Sequence, residues 1–209
     1  MKTLILIGAT GLVGQSLLAQ ALADPRVTKL IALTRRPLPV QAKLENPLVD
    51  FDALPAGAPW WSVDGILCTL GTTIKKAGSQ PAFRRVDHDY PLAVATLARR
   101  RGAASFGLVS SLGANVTSHT FYLRTKGETE RDLRALKFPS LTILRPSFIG
   151  GTRAERRPAE AFALRVFGAV PWLLPRRYRI VPAVRIAQTL LNSCLAAATE
   201  TRVVESESI

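Results

Sequence analysis

Apolar positions along this chain alternate between short solid runs and longer stretches at helical spacing. Leu4 to Ile7 is an apolar run with β-branched residues, the mark of a strand buried on both faces. Leu12 to Ala23 then reads as a helix. The alternation recurs, with strands predicted over Val27–Thr34, Leu48–Phe51, Val63–Leu70, Ser105–Val109 and Leu141–Leu144. Helices are predicted over Pro81–Arg101, where Val86, Tyr90, Val94 and Leu97 keep helical register, and from Phe121 to about Leu136. Pro37–Pro47, Pro55–Pro59 and Lys75–Gln80 read as loops, with Trp60 and Trp61 covering the sheet edge. Beyond Gly151 the chain differs in kind. Pro158–Leu174 reads as an apolar helix broken near Pro171, Arg176–Ile180 as a short strand, Val184–Ala198 as a helix and Arg202–Glu207 as a terminal strand. Strands alternating with helices predict an α/β fold, doubly wound, with a mainly parallel sheet covered by helices on both faces. One domain is expected over residues 1–209, built of a core (1–151) and a small C-terminal lid or substrate region (152–209).

The turn after the first strand narrows this picture to a Rossmann type. Gly8, Gly11 and Gly14 stand at three-residue spacing between strand and helix, the context in which glycines mark a dinucleotide site. Gly8 permits the tight turn, Gly11 lets backbone approach a pyrophosphate, and Gly14 allows close helix–strand packing. With Thr10, Leu12 and Val13 they present a helix N-terminus, whose N–H groups and partial positive charge suit phosphates. Arg35 and Arg36 close the second strand where an NAD site would carry an acidic residue. Arginines there suit the 2′-phosphate of NADP. Asp50 and Phe51 are placed to line the adenine. Gly71, Thr72 and Thr73, after the fourth strand, form a cofactor wall at the switch point, where a small residue lets the cofactor lie across.

Tyr122 and Lys126 lie four residues apart on a predicted helix and share one face, about 6 Å apart along the axis. A tyrosine serves as general acid when a neighbouring ammonium favours its phenolate. A serine hydroxyl from the end of the fifth strand, Ser111 or its neighbour Ser110, completes a set able to polarise a carbonyl.

These pieces together resemble the short-chain dehydrogenase/reductases, through Gly8-Ala-Thr-Gly-Leu-Val-Gly14, Ser110-Ser111 and Tyr122-x-x-x-Lys126. Cys68-Thr-Leu-Gly-Thr-Thr73, Val86-Asp-His-Asp-Tyr90, Tyr122-Leu-Arg-Thr-Lys-Gly-Glu128 and Leu144-Arg-Pro146 resemble an atypical branch, the Tat-interacting-protein-like oxidoreductases. The resemblance implies an NADPH-dependent oxidoreductase of carbonyl or alcohol substrates. Tyr122 would be its proton donor and Lys126 would lie on the ribose, with cofactor contacts from Arg35, Arg36, Leu70, Gly71, Pro146, Ile149 and Arg157. The family at large often carries a catalytic Asn on the helix before the fifth strand, and Pro81–Arg101 contains none. That departure keeps an alternative open, a redox-inert NADPH-binding sensor that regulates partner proteins.

Composition adds little further chemistry. Twenty-eight Lys and Arg against 15 Asp and Glu leave a formal charge of +13. Much of that surplus sits in short arginine clusters that read as solvated helix ends and loops, which argues against nucleic acid as a partner. A small-molecule substrate is expected instead. Membrane-surface contact through Arg165–Arg179 ranks behind a lid or dimer contact, and the chain is expected to be a monomer or homodimer. The two cysteines, Cys68 and Cys194, support no metal site or disulfide framework, and fit a reducing cytoplasm.

Overall fold

In this computed structural model residues 1–150 and 175–209 are described. Strand β1 (Lys2–Ile7) lies inside the sheet, and its alternation divides the core in two. Leu4 and Leu6 face one apolar cluster, while Ile5 and Ile7 face the other. β1 pairs in parallel with β2 (Val27–Leu33) on one side and β4 (Gly65–Cys68) on the other. Short β3 (Leu44–Glu45) flanks β2, and β5 (Ser105–Val109), β6 (Ser140–Arg145) and β9 (Thr201–Glu205) extend the other side. The order β3-β2-β1-β4-β5-β6-β9, all parallel, is the doubly wound arrangement expected, with its switch point between β1 and β4. Helices α1 (Leu12–Ala23) and α6 (Ala183–Ala196) cover one face; α4 (Tyr90–Arg100) and α5 (Phe121–Ala135) cover the other.

Several expectations are corrected. The third strand is not Leu48–Phe51 but Leu44–Glu45. Just past it, the Asn46 amide donates to Ala32 O (2.7 Å) and Thr34 Oγ1 (2.8 Å), replacing ladder bonds with side-chain ones. Leu48 keeps only an isolated bridge to Thr34, and Asp50 opens a turn by accepting the Asp52 N–H (2.9 Å). The loop Lys75–Gln80 contains the end of a short helix, α2 (Ile74–Ala77), capped by Thr73 Oγ1 and ended at Gly78, which is left-handed at φ 84°. Arg176–Tyr178 is a single 3-10 turn rather than a strand. The strand is β8 (Ile180–Pro182), paired in parallel with an unforeseen β7 (Phe148–Gly150). Trp61 is core rather than edge cover, fully buried with its Nε1 donating to Pro55 O (2.8 Å).

The helix read over Pro81–Arg101 is interrupted. It starts at α3 (Gln80–Arg84), capped by Ser79, then opens into a π turn over Arg85–Asp89 before α4. Pro91 explains the break: it has no N–H to give the carbonyl of Asp87, four residues back. That carbonyl accepts the Thr129 hydroxyl of α5 instead, at 3.0 Å. The apolar helix read over Pro158–Leu174 lies outside the described residues.

Candidate functional site

The described residues singled out from sequence lie at or beyond the C-terminal ends of strands, or on α1 and α5. Gly8 turns at φ 90°, and a Cβ there would lie 2.5 Å from the Thr69 carbonyl carbon. At Gly14 a Cβ would lie 2.0 Å from the Gly8 oxygen, so helix α1 rests directly on the turn. No side chain caps the first turn of α1, which leaves its N–H groups facing the space above Gly11. That space has the chemistry of an anion site and fits a pyrophosphate. Arg35 and Arg36 stand exposed beyond β2, and neither makes an ion pair among the described residues. Leu70, Gly71 and Thr72 follow β4 beside the glycine turn. Phe51 is buried and tilts against the Tyr90 ring at 5.3 Å between centroids, whereas Asp50 is exposed. Thr10 is exposed on the turn, and Leu12 and Val13 open α1.

On α5, Tyr122 packs its ring on fully buried Phe83 of α3, with centroids 5.5 Å apart. Lys126 is 4% exposed, and its Nζ lies 2.7 Å from Oδ1 of Asp87, itself 1% exposed. Among the described residues Oδ1 accepts no aligned hydrogen bond, so the contact with Lys126 is an ion pair. Burial opposes charge on Lys126, but the nearby Asp87 carboxylate, and after it Tyr122, outweigh that and keep the ammonium protonated well above its ordinary range. Cys68, at the end of β4, is pushed up to about 12 by burial, slightly offset by the Leu70 backbone and by Lys126, and stays a neutral thiol.

The two serines separate. Ser110 is buried and donates to Glu130 Oε1 at 2.6 Å. Glu130 in turn takes a two-pronged contact from Arg145, Nε at 3.0 Å and Nη2 at 2.6 Å, and Arg145 also reaches Glu205 of β9 at 3.0 Å. Ser110 therefore belongs to a structural network. Ser111 is half-buried, and among the described residues its hydroxyl has only a 3.4 Å contact with the Leu112 carbonyl. The loop carrying it lies against α5 at Gly127, where a Cβ would come within 2.3 Å of the Asn115 carbonyl carbon.

Pro146 is buried after β6 and accepts the Leu112 N–H at 2.9 Å; Ile149 sits in β7. Arg157 lies outside the described residues. Two cavities are described, one of about 450 Å³ between α1 and α6 and one of about 480 Å³ behind α5. Neither is lined by a residue of the glycine turn. Asp87 is the site residue that sequence reading missed. It lies in the Val86-Asp-His-Asp-Tyr90 stretch that carries the resemblance, but no role was assigned to it; Pro91, a proline inside a predicted helix four residues on, was the second signal.

No protein-family model matches the chain. The rat protein HTATIP2 is 36% identical over 200 residues, which span 93% of this chain and 82% of that one. Protein fmp52, mitochondrial, of Emericella nidulans is 39% identical over 179 residues, 81% of this chain and 76% of its own. Among solved structures, MoeE5 in complex with UDP-glucose and NAD superposes with TM-score 0.72 over 97% of this chain and 75% of that one. At 16% identity it shows the fold alone. The mitochondrial names of the fungal relatives, from Emericella nidulans to Candida glabrata, overturn the cytoplasmic expectation. That expectation leaned on cysteines which are both buried and free, a state that burial protects in any compartment. With a parallel Rossmann sheet, the glycine turn and relatives above 30% identity along most of its length, the chain belongs to the HTATIP2-like, NAD(P)-binding branch of atypical short-chain dehydrogenase/reductases.

Proposed function

We propose that this protein is an NADPH-dependent oxidoreductase that interconverts a carbonyl and an alcohol on a small substrate. The observation that carries the reading is Lys126, a buried, charged ammonium one helical turn from Tyr122 at the cleft edge. When bound, the nicotinamide supplies a hydride to the carbonyl carbon, or takes one from the alcohol carbon. Tyr122 gives its hydroxyl proton to the substrate oxygen in the first direction and recovers it in the second. Ser111 donates a hydrogen bond to the same oxygen, and its freedom from the Glu130 network leaves it able to do so. Lys126 holds positive charge beside the phenol and the ribose. Arg35 and Arg36 take the 2′-phosphate, which supports NADPH over NADH.

A ligand at about 100 times its dissociation constant stabilises by roughly 2.7 kcal/mol. For a chain of this size that is about 5–10 °C in Tm. NADPH is expected to give that shift at concentrations where NADH gives little, and Arg35→Ala with Arg36→Ala is expected to remove the difference. Tyr122→Phe is expected to abolish NADPH oxidation across a panel of aldehydes, ketones and quinones while leaving NADPH binding. Equal shifts for both nucleotides refute the cofactor assignment. NADPH binding with no turnover on any substrate refutes the enzyme and supports a redox-inert sensor.

A further inference from the structure

The buried pair between Asp87 and Lys126 has a geometry that the proposed reaction alone does not require. Asp87 reaches Lys126 from a different helix, 39 positions earlier in sequence, through the π turn that Pro91 opens. Its second oxygen, Oδ2, accepts the backbone N–H of Thr72 at 2.9 Å, in the wall after β4. Its carbonyl takes the Thr129 hydroxyl of α5 at 3.0 Å. One residue thus ties together the cleft wall, the π turn and the helix that carries Tyr122 and Lys126. Gly71 completes the arrangement: a Cβ there would lie 3.5 Å from Asp87 Oδ1 and 3.9 Å from Lys126 Nζ, so the pair lies directly under the wall.

We propose that Asp87 is a positioning residue that acts through Lys126, supplying the fixed counter-charge that keeps this buried ammonium protonated and aimed at the cleft before any ligand arrives. The inference rests on the proposed role of Lys126 beside the cofactor ribose. An ammonium 4% exposed and without a counter-charge would shed its proton, because burial disfavours the charged form. Among the described residues, the groups that face Lys126 are Asp87 from the π turn, Tyr122 from its own helix and the neutral Cys68 thiol from β4. Asp87 is the permanent negative charge among them.

Asp87→Asn keeps the shape and the acceptor for Thr72 but removes the charge, which lets the two roles be told apart. In the variant the folded-state pKa of Lys126 falls below its unfolded value, so as pH rises the unfolded chain binds the extra proton and the folded state is relatively favoured. The stability deficit of Asp87→Asn against wild type is therefore expected to narrow between about pH 7 and pH 10. Over the same range NADPH affinity of the variant is expected to fall about tenfold, while that of wild type stays within about threefold, since the variant's Lys126 discharges. Asp87→Glu is expected to restore a flat profile at reduced affinity. The double variant Asp87→Asn with Lys126→Met, which removes both charges, is expected to recover most of the lost stability.

The stability arm needs no cofactor, so it is read even if wild type fails to bind NADPH; that failure refutes the proposed function and leaves this test standing. A deficit that stays constant with pH, with no recovery in the double variant, means that Asp87 does not act as the counter-charge of Lys126 and overturns the proposal. If Asp87→Asn does not fold and the double variant does, the uncompensated charge is the cause and the proposal stands. If neither folds, removing both charges does not rescue the chain, so an uncompensated charge is not the cause and the proposal falls.

Discussion

Arg145→Met tests whether the network behind the serine loop is a buried electrostatic unit. Glu130 is 1% exposed along its side chain and Arg145 22%, with two oxygens of the first meeting two nitrogens of the second. Truncating Arg145 leaves a carboxylate in the interior with Ser110 at 2.6 Å and Arg134 at 3.4 Å as its remaining partners. Breaking a buried pair on one side costs about 3–5 kcal/mol. The surviving Arg134 contact and the partial exposure of Arg145 place this case at the low end, about 3 kcal/mol. At roughly 2–4 °C per kcal/mol for a chain of this size, Tm falls by about 6–12 °C. Urea denaturation at neutral pH, followed by circular dichroism, measures the loss directly. Replacing both members, with Glu130→Leu added to Arg145→Met, is expected to recover about half or more of it, because a matched apolar pair carries no unpaired charge. A single-variant loss under about 1 kcal/mol, or a double variant as weak as the sum of the singles, refutes the reasoning.

Ser111→Ala is expected to lower kcat with little change in Tm, whereas Ser110→Ala lowers Tm by about 1–3 kcal/mol equivalent, since Glu130 loses a charge-assisted bond. Steady-state kinetics alongside thermal melts separate the two, and equal kinetic effects refute the division of labour. Gly127→Ala places a methyl against the Asn115–Val116 backbone and is expected to cost about 1–3 kcal/mol despite the better helix propensity of alanine, with kcat falling as the serine loop is displaced. A stabilised variant in thermal melts refutes the contact. The Asp24 carboxyl is lowered from 3.8 to about 2, chiefly by hydrogen bonds from Arg26 and against some burial. Because the folded value is the lower one, its contribution is present above about pH 3.8 and lost as pH falls toward 2. Stability measured against pH for Asp24→Asn should lack that acid-side slope, and a curve parallel to wild type below pH 4 counts against it.

The first βαβ unit was legible because its signals are local. The Leu4–Ile7 run and three glycines within seven positions need no distant partner to be understood. Tyr122 and Lys126 were legible for the same reason, being neighbours on one helix. The serine pair was not resolved, since the two hydroxyls differ only in what lies twenty residues away, at Glu130. Asp87 stayed hidden in a polar stretch whose partners are Thr72 and Lys126, one on each side in sequence and both far off. The third strand was misplaced because the Asn46 side chain imitates a ladder, an exchange that hydrophobic patterning does not register. Cofactor chemistry was thus more readable than the geometry that supports it.

β6 is an interior strand only because β9, which begins 56 positions after β6 ends, closes its open side. During synthesis the five strands β1 to β5 can pair with β6 while Thr201–Glu205 is still inside the ribosome. Through that interval Leu141–Leu144 presents an unsatisfied row of N–H and C=O groups flanked by buried-type side chains. Arg145 at its end also lacks Glu205 until the last strand arrives. The nascent chain therefore keeps an adhesive edge on β6 until Thr201–Glu205 emerges, and a chain cut short before residue 201 would keep that edge permanently.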